Sequence, residues 1–381
     1  MPHAGRDALN DHLDRWVRVE IRVFGRSLPA FQVCGTVGLV LGIVLTQGIA
    51  ALRGLSPWVL AATALAAVLT FLGVALVTLI VTGREKLVYY RHEVAVVVVV
   101  TLLLRFLGEP VLPYLEVTLL GVGAFLIAGR IGCLMVGCCH GRPHGLGVRY
   151  GEAHARAGFS PQLVHVRLFP VQGVESLLVL GVVVWGSALV LGGRPAGEAL
   201  GLYAACYGVG RFALELARGD ADRYELLGFS EAQWSSLILM GLLAAAEAAG
   251  ALPLSRWHIV AVAGIAVVMA AMTARRRFGR RRWLFDAKHV EELAAAVAAL
   301  SSVSTGAETR VAQTPSGIRI SAGTIGGARH VSLSCAGAPM NATEAGRIAE
   351  LIRRLMRHTG QGRLVAGNGG VYHWIAADEV D

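Results

Sequence analysis

Charged residues are scarce in this sequence. They make up 16% of the 381 residues, whereas apolar residues make up 55% and the mean hydropathy is +0.58. A soluble globular domain carries about 25% charged residues, so the composition indicates a protein that lies mostly in lipid. The net charge of +9 does not indicate a nucleic-acid partner, because the arginines stand at the ends of apolar runs, where they face anionic headgroups.

The sequence also lacks the cysteine pattern of a secreted disulfide framework. No cleavable signal peptide is evident, because residues 1–30 alternate charged and apolar residues, and we interpret them as an interfacial N-terminal segment. Four of the six cysteines lie in or beside apolar segments. The six are Cys34, Cys133, Cys138, Cys139, Cys206 and Cys335.

Long apolar segments fill residues 31–275 and predict an all-α polytopic membrane bundle. We expect about 7–8 transmembrane helices, because the third of eight segments is short and carries Arg105 near its end. Glycines recur within the segments, as at Gly35, Gly38 and Gly42 or at Gly121 and Gly123, and let helix backbones pack closely. The segments are 33–52, 57–82, 93–107, 113–136, 171–192, 197–216, 232–250 and 258–274.

The character of the chain changes after residue 275. Six arginines between 275 and 282 form a stop signal with a cytoplasmic preference. Residues 284–381 predict a small soluble α+β domain, which we therefore place in the cytoplasm. Its helices are expected near 286–300 and 342–358 and its strands within 309–334 and 370–376. Nothing in it indicates catalysis, and its partner is not readable from the sequence.

The first segment with chemical character is Gly-Arg-Ile-Gly-Cys at 129–133, followed by Gly137 and Gly141. An arginine at the end of an apolar helix is costly unless it snorkels to the surface, pairs or meets an anionic ligand. The flanking glycines predict open backbone N–H groups, as close approach to a phosphate requires. Arg130 is therefore a candidate anion-binding residue.

The second segment is a stripe of polar residues on an otherwise apolar helix. Spacings of four, four, four and three place all its members on one helical face. An ionic stripe at membrane depth indicates function. Two structural alternatives stay open: Arg211 and Glu215 as a pair that holds helices together, and Arg218 as an interfacial charge beside Asp220. The stripe consists of Tyr203, Tyr207, Arg211, Glu215 and Arg218.

Together these segments resemble the prolipoprotein diacylglyceryl transferase family over roughly residues 30–250. The Gly-Arg-Ile-Gly stretch at 129–132 is similar to that family's motif, and so is Pro170-x-Gln172-x-x-Glu175. The third similarity is the helix from Gly201 through Tyr207-Gly208-x-x-Arg211-x-x-x-Glu215-x-x-Arg218.

The resemblance implies transfer of a diacylglyceryl group from phosphatidylglycerol to the thiol of a prolipoprotein lipobox cysteine, in the bacterial plasma (inner) membrane and without a cofactor. Two guanidiniums would stabilise the phosphate leaving group with planar, bidentate donors. The family's two essential arginines match Arg130 and Arg211, which we predict to be catalytic. The predicted substrate-binding residues are Tyr207, Glu215, Glu175, Gln172, Arg218, Tyr203 and Gly132.

Several positions depart from the family pattern. The family has an asparagine where Cys133 stands and a glutamate where Cys138 stands, and its His-Gly-Gly-Leu motif is absent. His92, before the third apolar segment, is the candidate base. These departures leave a second hypothesis, an altered or inactive homologue that binds lipid or a partner protein. A third is an arginine-lined anion transporter, which predicts internal repeats that the sequence does not show.

The cysteine-rich turn allows three interpretations. Cys133, Cys138, Cys139 and His140 include residue types that bind zinc, but their spacing differs from paired Cys-x-x-Cys ligands. Adjacent cysteines rarely bind one ion together, so we favour small cysteines that pack the turn and assign no metal. A reactive thiol that carries an acyl or lipid group is the third interpretation.

Orientation presents a conflict. With eight crossings, the arginine-rich loop 137–170 and both termini share one side, which the positive-inside rule places in the cytoplasm. The resembled family works on the outer face, with this loop on that side. A loop of more than thirty residues partly escapes the rule, and the sequence does not resolve the conflict.

Overall fold

A computed structural model describes residues 2–83, 89–220, 225–278, 287–301, 310–325, 328–336, 340–356 and 362–377. The chain divides into two compact units. The first contains the long apolar helices and comprises Met1–Val148, Leu168–Arg218 and Asp222–Gly279. The second contains the C-terminal sheet and comprises Arg149–Arg167, Gly219–Ala221 and Arg280–Asp381.

The N-terminal segment forms a helix followed by an antiparallel hairpin. The amide of Asn10 fixes a later loop, because its Nδ2 donates to the Gly145 carbonyl at 3.1 Å and its Oδ1 accepts from the Gly147 N–H at 2.8 Å. The interfacial position of this segment stays a prediction. The elements are α1 (Pro2–Trp16), β1 (Glu20–Val23) and β2 (Arg26–Pro29).

All eight apolar segments are helices. The helices are α2 (Ala30–Arg53), α3 (Pro57–Thr82), α4 (Tyr89–Leu107), α5 (Val111–Val136), α7 (Val171–Leu191), α8 (Glu198–Glu215), α9 (Glu231–Ala248) and α10 (Arg256–Phe278). Between α5 and α7 lie β3 (Pro143–Arg149), α6 (Glu152–Arg156) and β4 (Arg167–Leu168), and between α8 and α9 lie β5 (Glu225–Leu226) and β6 (Phe229–Ser230).

Five of the described helices are long and apolar enough to cross a membrane: α2, α3, α5, α7 and residues Arg256–Ala274 of α10. Helices α4 and α8 each carry three charged residues within their 19 and 18 residues, which lowers their apolar character. The structure therefore supports a helical membrane bundle, while the count of seven or eight crossings stays a prediction.

Helices α2 and α5 pack with their backbones in close approach. A Cβ atom on Gly42 would lie 2.7 Å from the Gly121 carbonyl oxygen, and one on Gly38 would lie 2.8 Å from the Phe125 carbonyl oxygen. Such spacing admits only glycine, so the predicted packing role of Gly38, Gly42 and Gly121 is confirmed. The prediction is wrong for Gly35, around which the space is open.

The boundaries of the helices follow local sequence signals. Helix α3 begins after Ser56, whose side chain accepts from the Val59 N–H, with Pro57 in the first turn. Helix α5 ends at Gly137, whose φ of 86° lies in the left-handed region that favours glycine. The cysteine-rich turn therefore starts directly after the helix that carries Arg130.

The second unit contains a five-stranded antiparallel sheet and two helices. Its strand order is β10-β11-β9-β8-β7, and Leu293, Ile320 and Leu333 are fully buried. The helices and the strands β7–β9 and β11 match the predicted segments, whereas the short β10 was not predicted. The elements are α11 (Ala287–Ser301), β7 (Arg310–Gln313), β8 (Ile318–Ile325), β9 (Ala328–Cys335), α12 (Ala342–Leu355), β10 (Arg363–Ala366) and β11 (Tyr372–Ala377).

Candidate active site

A buried carboxylate stands at the centre of the first unit. Glu175, in the second turn of α7, is 1% exposed. Its Oε1 lies 3.0 Å from Arg130 Nη2, and its Oε2 lies 3.2 Å from Arg211 Nη1. Tyr207 donates its hydroxyl to Oε1 at 2.9 Å. Guanidiniums from α5 and α8 therefore converge on one carboxylate of α7.

The ionic chain continues along α8. Arg211 Nη2 lies 2.9 Å from Glu215 Oε2, which in turn lies 3.5 Å from Arg218 Nη1. All five side chains are at least nine-tenths buried. Three guanidiniums and two carboxylates therefore form one continuous ionic chain.

The two aromatic members of the stripe pack against each other. The rings of Tyr203 and Tyr207 lie 6.0 Å apart. A Cβ on Gly123 would lie 2.8 Å from Tyr203 Cε2, so the glycine makes room for this ring. The predicted stripe therefore forms along α8 from Tyr203 to Glu215.

One member of the stripe differs from the prediction. Helix α8 ends at Glu215, so Arg218 does not lie on it. The chain leaves the helix because its backbone pairs with the motif turn: Gly141 forms a bridge with Arg218, and Arg142 donates its N–H to the Ala217 carbonyl. The flexible Arg218 side chain still reaches Glu215.

The predicted open amides around Arg130 are not found. Helix α5 continues through Gly129 and Gly132 to Val136, so their N–H groups belong to the helical hydrogen-bond ladder. Gly132 instead faces α2, where a Cβ would lie 3.0 Å from Cys34 Cβ. Its role in the structure is close helix packing.

His92 packs against an aromatic residue of a neighbouring helix. It is buried in the first turn of α4, and its ring centroid lies 4.5 Å from that of Phe71 on α3. Tyr90, two residues earlier, contacts the site: its ring lies 5.9 Å from Tyr207, and its hydroxyl is 2.8 Å from Ser236 Oγ. The role of His92 as a base stays a prediction.

Tyr90 and Ser236 were missed in the sequence because neither belongs to a recognisable motif. Tyr90 precedes Arg91, His92 and Glu93, and Ser236 follows Ser235, so nothing local distinguishes either residue from its polar neighbours. Ser236 comes from α9, whose approach to α4 is a tertiary contact.

Two buried polar atoms at the site lack a hydrogen-bond partner among the described residues. They are Arg130 Nε and Gln172 Oε1. Gln172 is held by its other end, because its Nε2 donates to the Cys138 carbonyl at 2.7 Å. An unsatisfied buried donor and acceptor are costly, and a polar ligand would satisfy both.

Comparison of the sequence with family models shows which family this chain resembles. The family model described as prolipoprotein diacylglyceryl transferase matches residues 28–249, more than half of the chain. The chain belongs to the prolipoprotein diacylglyceryl transferase family.

Two curated relatives carry the name phosphatidylglycerol–prolipoprotein diacylglyceryl transferase. The protein from Clostridium tetani is 34% identical over 119 residues, which are 30% of this chain and 45% of that relative. The protein from Dehalococcoides mccartyi is 31% identical over 130 residues, which are 34% of this chain and 47% of that relative. The chain therefore spans about half the length of the curated relatives it matches.

The family match contains the whole ionic chain. Arg130, Glu175, Arg211, Glu215 and Arg218 all lie inside residues 28–249. Tyr207 joins them through its hydrogen bond to Glu175, and the Tyr203 ring packs against Tyr207. Gln172 lies in the match as well and binds the Cys138 carbonyl. Helix α10 and the C-terminal sheet lie beyond the match.

Proposed function

We propose that this member of the prolipoprotein diacylglyceryl transferase family transfers a diacylglyceryl group from phosphatidylglycerol to the cysteine thiol of a prolipoprotein. The observation that carries the proposal is the convergence of Arg130 and Arg211 on Glu175 within the membrane bundle. The names of the curated relatives from Clostridium tetani and Dehalococcoides mccartyi support the same substrates.

The proposed reaction exchanges one bond for another at a glyceryl carbon. The cysteine sulfur of the lipobox peptide forms a C–S bond, the C–O bond to the phosphate breaks, and glycerol phosphate leaves with the electron pair. Charge therefore grows on the phosphate as the reaction proceeds. Fixed guanidiniums that face this oxygen in a water-poor site stabilise the transition state more than the ground state.

The charge of the site suits a phosphodiester. Three guanidiniums lie in the ionic chain, and a phosphatidylglycerol phosphodiester carries one negative charge. Each guanidinium has five N–H donors, so contact with Glu175 leaves donors on Arg130 and Arg211 for the lipid. The Arg130 Nε atom, which is buried without a described partner, is one of them.

The remaining polar residues hold these arginines in place. Glu175 binds Nη1 of Arg211 and Glu215 binds Nη2, so both ends of this guanidinium are held. Tyr207 donates a hydrogen bond to the Glu175 carboxylate. Gln172 links α7 to the turn that follows Arg130. A site with locked side chains loses little energy to reorganisation during the reaction.

The thiol of the peptide must lose its proton before or during attack, because the thiolate is the nucleophile. His92 is the proposed base. It lies in the first turn of α4, in the same turn as Tyr90, whose ring reaches Tyr207. The bacterial plasma (inner) membrane is the proposed location, with seven or eight crossings and a cytoplasmic C-terminal domain.

The test is complementation in cells depleted of their own transferase, together with lipid transfer from phosphatidylglycerol to a lipobox peptide by the purified chain. We expect rescue by the native chain and its loss in Arg130→Ala and Arg211→Ala. Arg194→Ala is the matched control, because Arg194 is exposed and pairs only at the surface with Glu198. Full activity is expected there.

Two outcomes contradict the proposal. One is the absence of rescue by the native chain at normal membrane expression, which favours a homologue that binds lipid or a partner without transfer. The other is equal activity of the native chain and both arginine variants.

A further inference from the structure

Three thiols meet in the turn that follows α5. The Sγ atoms of Cys133, Cys138 and Cys139 all lie within 4.8 Å of one another, and all three are free cysteines. Among the described residues, no histidine, aspartate or glutamate joins this group. His140 turns its Nδ1 towards the Gly141 carbonyl, 3.0 Å away.

The backbone conformation explains why the side chains of neighbouring cysteines lie close together. Side chains of adjacent residues diverge in helices and strands, which is why the sequence argues against a shared ion. Here Gly137 ends the helix at φ 86°, and Cys139 has a φ of 54°, in the left-handed region that non-glycine residues rarely adopt. This turn brings Cys138 and Cys139 back over Cys133.

The turn is held in this conformation from outside. Gln172 of α7 donates to the Cys138 carbonyl at 2.7 Å, and Arg142 donates its N–H to the Ala217 carbonyl at 3.0 Å. Strained backbone of this kind persists where the surroundings over-determine it and is concentrated at ligand sites.

The sulfur positions match a metal site. Sulfur ligands about 2.3 Å from a metal ion lie about 3.8–4.0 Å apart in tetrahedral or trigonal geometry. Thiols within 4.8 Å of one another would reach that distance if their sulfur atoms moved by up to about 1 Å, which side-chain rotation allows. Arg130 and Arg218 lie close enough to act electrostatically on Cys139, so they would offset the negative charge of a thiolate–metal group.

We propose that Cys133, Cys138 and Cys139 form a three-thiolate site for a soft monovalent metal ion, Cu(I). Thiolate ligands select Cu(I) and zinc, but zinc in structural sites takes four ligands, and this group offers three. The site stands beside the lipid site, since Cys133 follows Arg130 by one helical turn. The proposal does not depend on transferase activity.

The experiment titrates the purified full chain, reduced and in detergent, against the coloured Cu(I)–bicinchoninate complex under anaerobic conditions. We expect the chain to withdraw one equivalent of copper. Because loss of even an outer-shell partner weakens metal binding about 10–100-fold, Cys133→Ser, Cys138→Ser and Cys139→Ser should each weaken it about tenfold or more. Cys206→Ser and Cys335→Ser are matched controls outside the group and should bind as the native chain does.

X-ray absorption at the copper edge of the native chain keeps the test independent of how the variants fold. Three sulfur neighbours are expected. Three results would each overturn the proposal. They are failure of the reduced native chain to take copper from bicinchoninate, unchanged copper uptake in all three variants, and a copper coordination shell without sulfur. A Cys133–Cys138 or Cys133–Cys139 disulfide that forms in place of copper uptake would also overturn it.

Discussion

Glu175 divides its two carboxylate oxygens between guanidiniums from two other helices. Removing one partner of a buried ion pair is expensive, because the remaining charges lose their compensation without regaining water. At Glu175 the loss would be double, since Arg130 and Arg211 would then face each other across the vacated charge. The local chemistry of the site therefore depends on this residue as much as on the arginines.

We predict that Glu175→Gln destabilises the chain by about 3–5 kcal/mol, the usual cost of breaking a buried ion pair, and abolishes lipid transfer. Glutamine keeps the size of the side chain and removes only its charge. Thermal unfolding of the detergent-purified chain and the peptide transfer assay measure the two effects.

Glu198→Gln is the control for this substitution. Glu198 pairs with Arg194, which is 59% exposed, and such surface pairs contribute little to stability. Equal unfolding temperatures for the two variants would show that Glu175 does not compensate the arginines.

The sequence predicted the polar residues of the site better than their partners. Helical spacing alone placed Tyr203, Tyr207, Arg211 and Glu215 on one face, because that spacing is a local property. The partner of Arg130 was not assigned, since it comes from α7, whose position relative to α5 is a matter of packing. The sequence left open whether Arg211 and Glu215 form only a pair that holds helices together. In the structure Arg211 binds both Glu215 and Glu175, so it also belongs to the wider ionic chain.

At the scale of elements, the contact between α2 and α5 sets the position of Arg130. Lipid provides no hydrophobic drive for helices to associate, so close backbone contact between small residues has to hold them together. Gly38 and Gly42, four residues apart, lie against Phe125 and Gly121 of α5. Arg130 follows on α5 little more than one turn after Phe125.

We predict that Gly42→Ala destabilises the bundle by about 1–3 kcal/mol, as overpacking does, because its Cβ would lie 2.7 Å from the rigid Gly121 carbonyl oxygen. Gly48→Ala, on the same helix, has nothing within 4 Å of the added atom and should change stability by less than about 0.5 kcal/mol. Thermal unfolding in detergent compares them. A Gly42→Ala chain as stable as Gly48→Ala would exclude this contact as a determinant of the bundle.

Element boundaries followed from sequence where caps and apolar length were strong. All eight apolar segments are helices, and the two C-terminal helices begin within a residue of the predicted positions. β10 escaped prediction because four residues, Arg-Leu-Val-Ala, carry too short an alternation to distinguish a strand. It is a strand because β11 is available to pair with it.

At the scale of the whole molecule, two arguments assign the site to opposite sides of the membrane. The positive-inside rule places the loop 137–170 in the cytoplasm, whereas the proposed acceptor is an exported prolipoprotein. The two expectations are opposite, so a measurement of sidedness separates them.

We predict that a reporter inserted within 145–165 reads the extracytoplasmic side. A matched insertion at Gly193, in the connection after α7, should read the cytoplasm, because α7 is long and apolar enough to separate the two positions by one crossing. Alkaline phosphatase and fluorescent-protein fusions, active on opposite sides, provide the readout. A cytoplasmic signal from 145–165 would contradict the modification of exported lipoproteins.

Composition and local periodicity determined that this protein is a helical membrane bundle with a C-terminal α+β unit and a polar stripe on α8. These properties depend on neighbours in the chain, and the sequence states them directly. Only the tertiary structure decided that Glu175 joins Arg130 to Arg211, that Tyr90 contacts Tyr207, and that three cysteine thiols lie within 4.8 Å of one another. The first two depend on how separate helices pack, and the third depends on the left-handed backbone of Cys139. Neither cause produces a periodic pattern in the sequence.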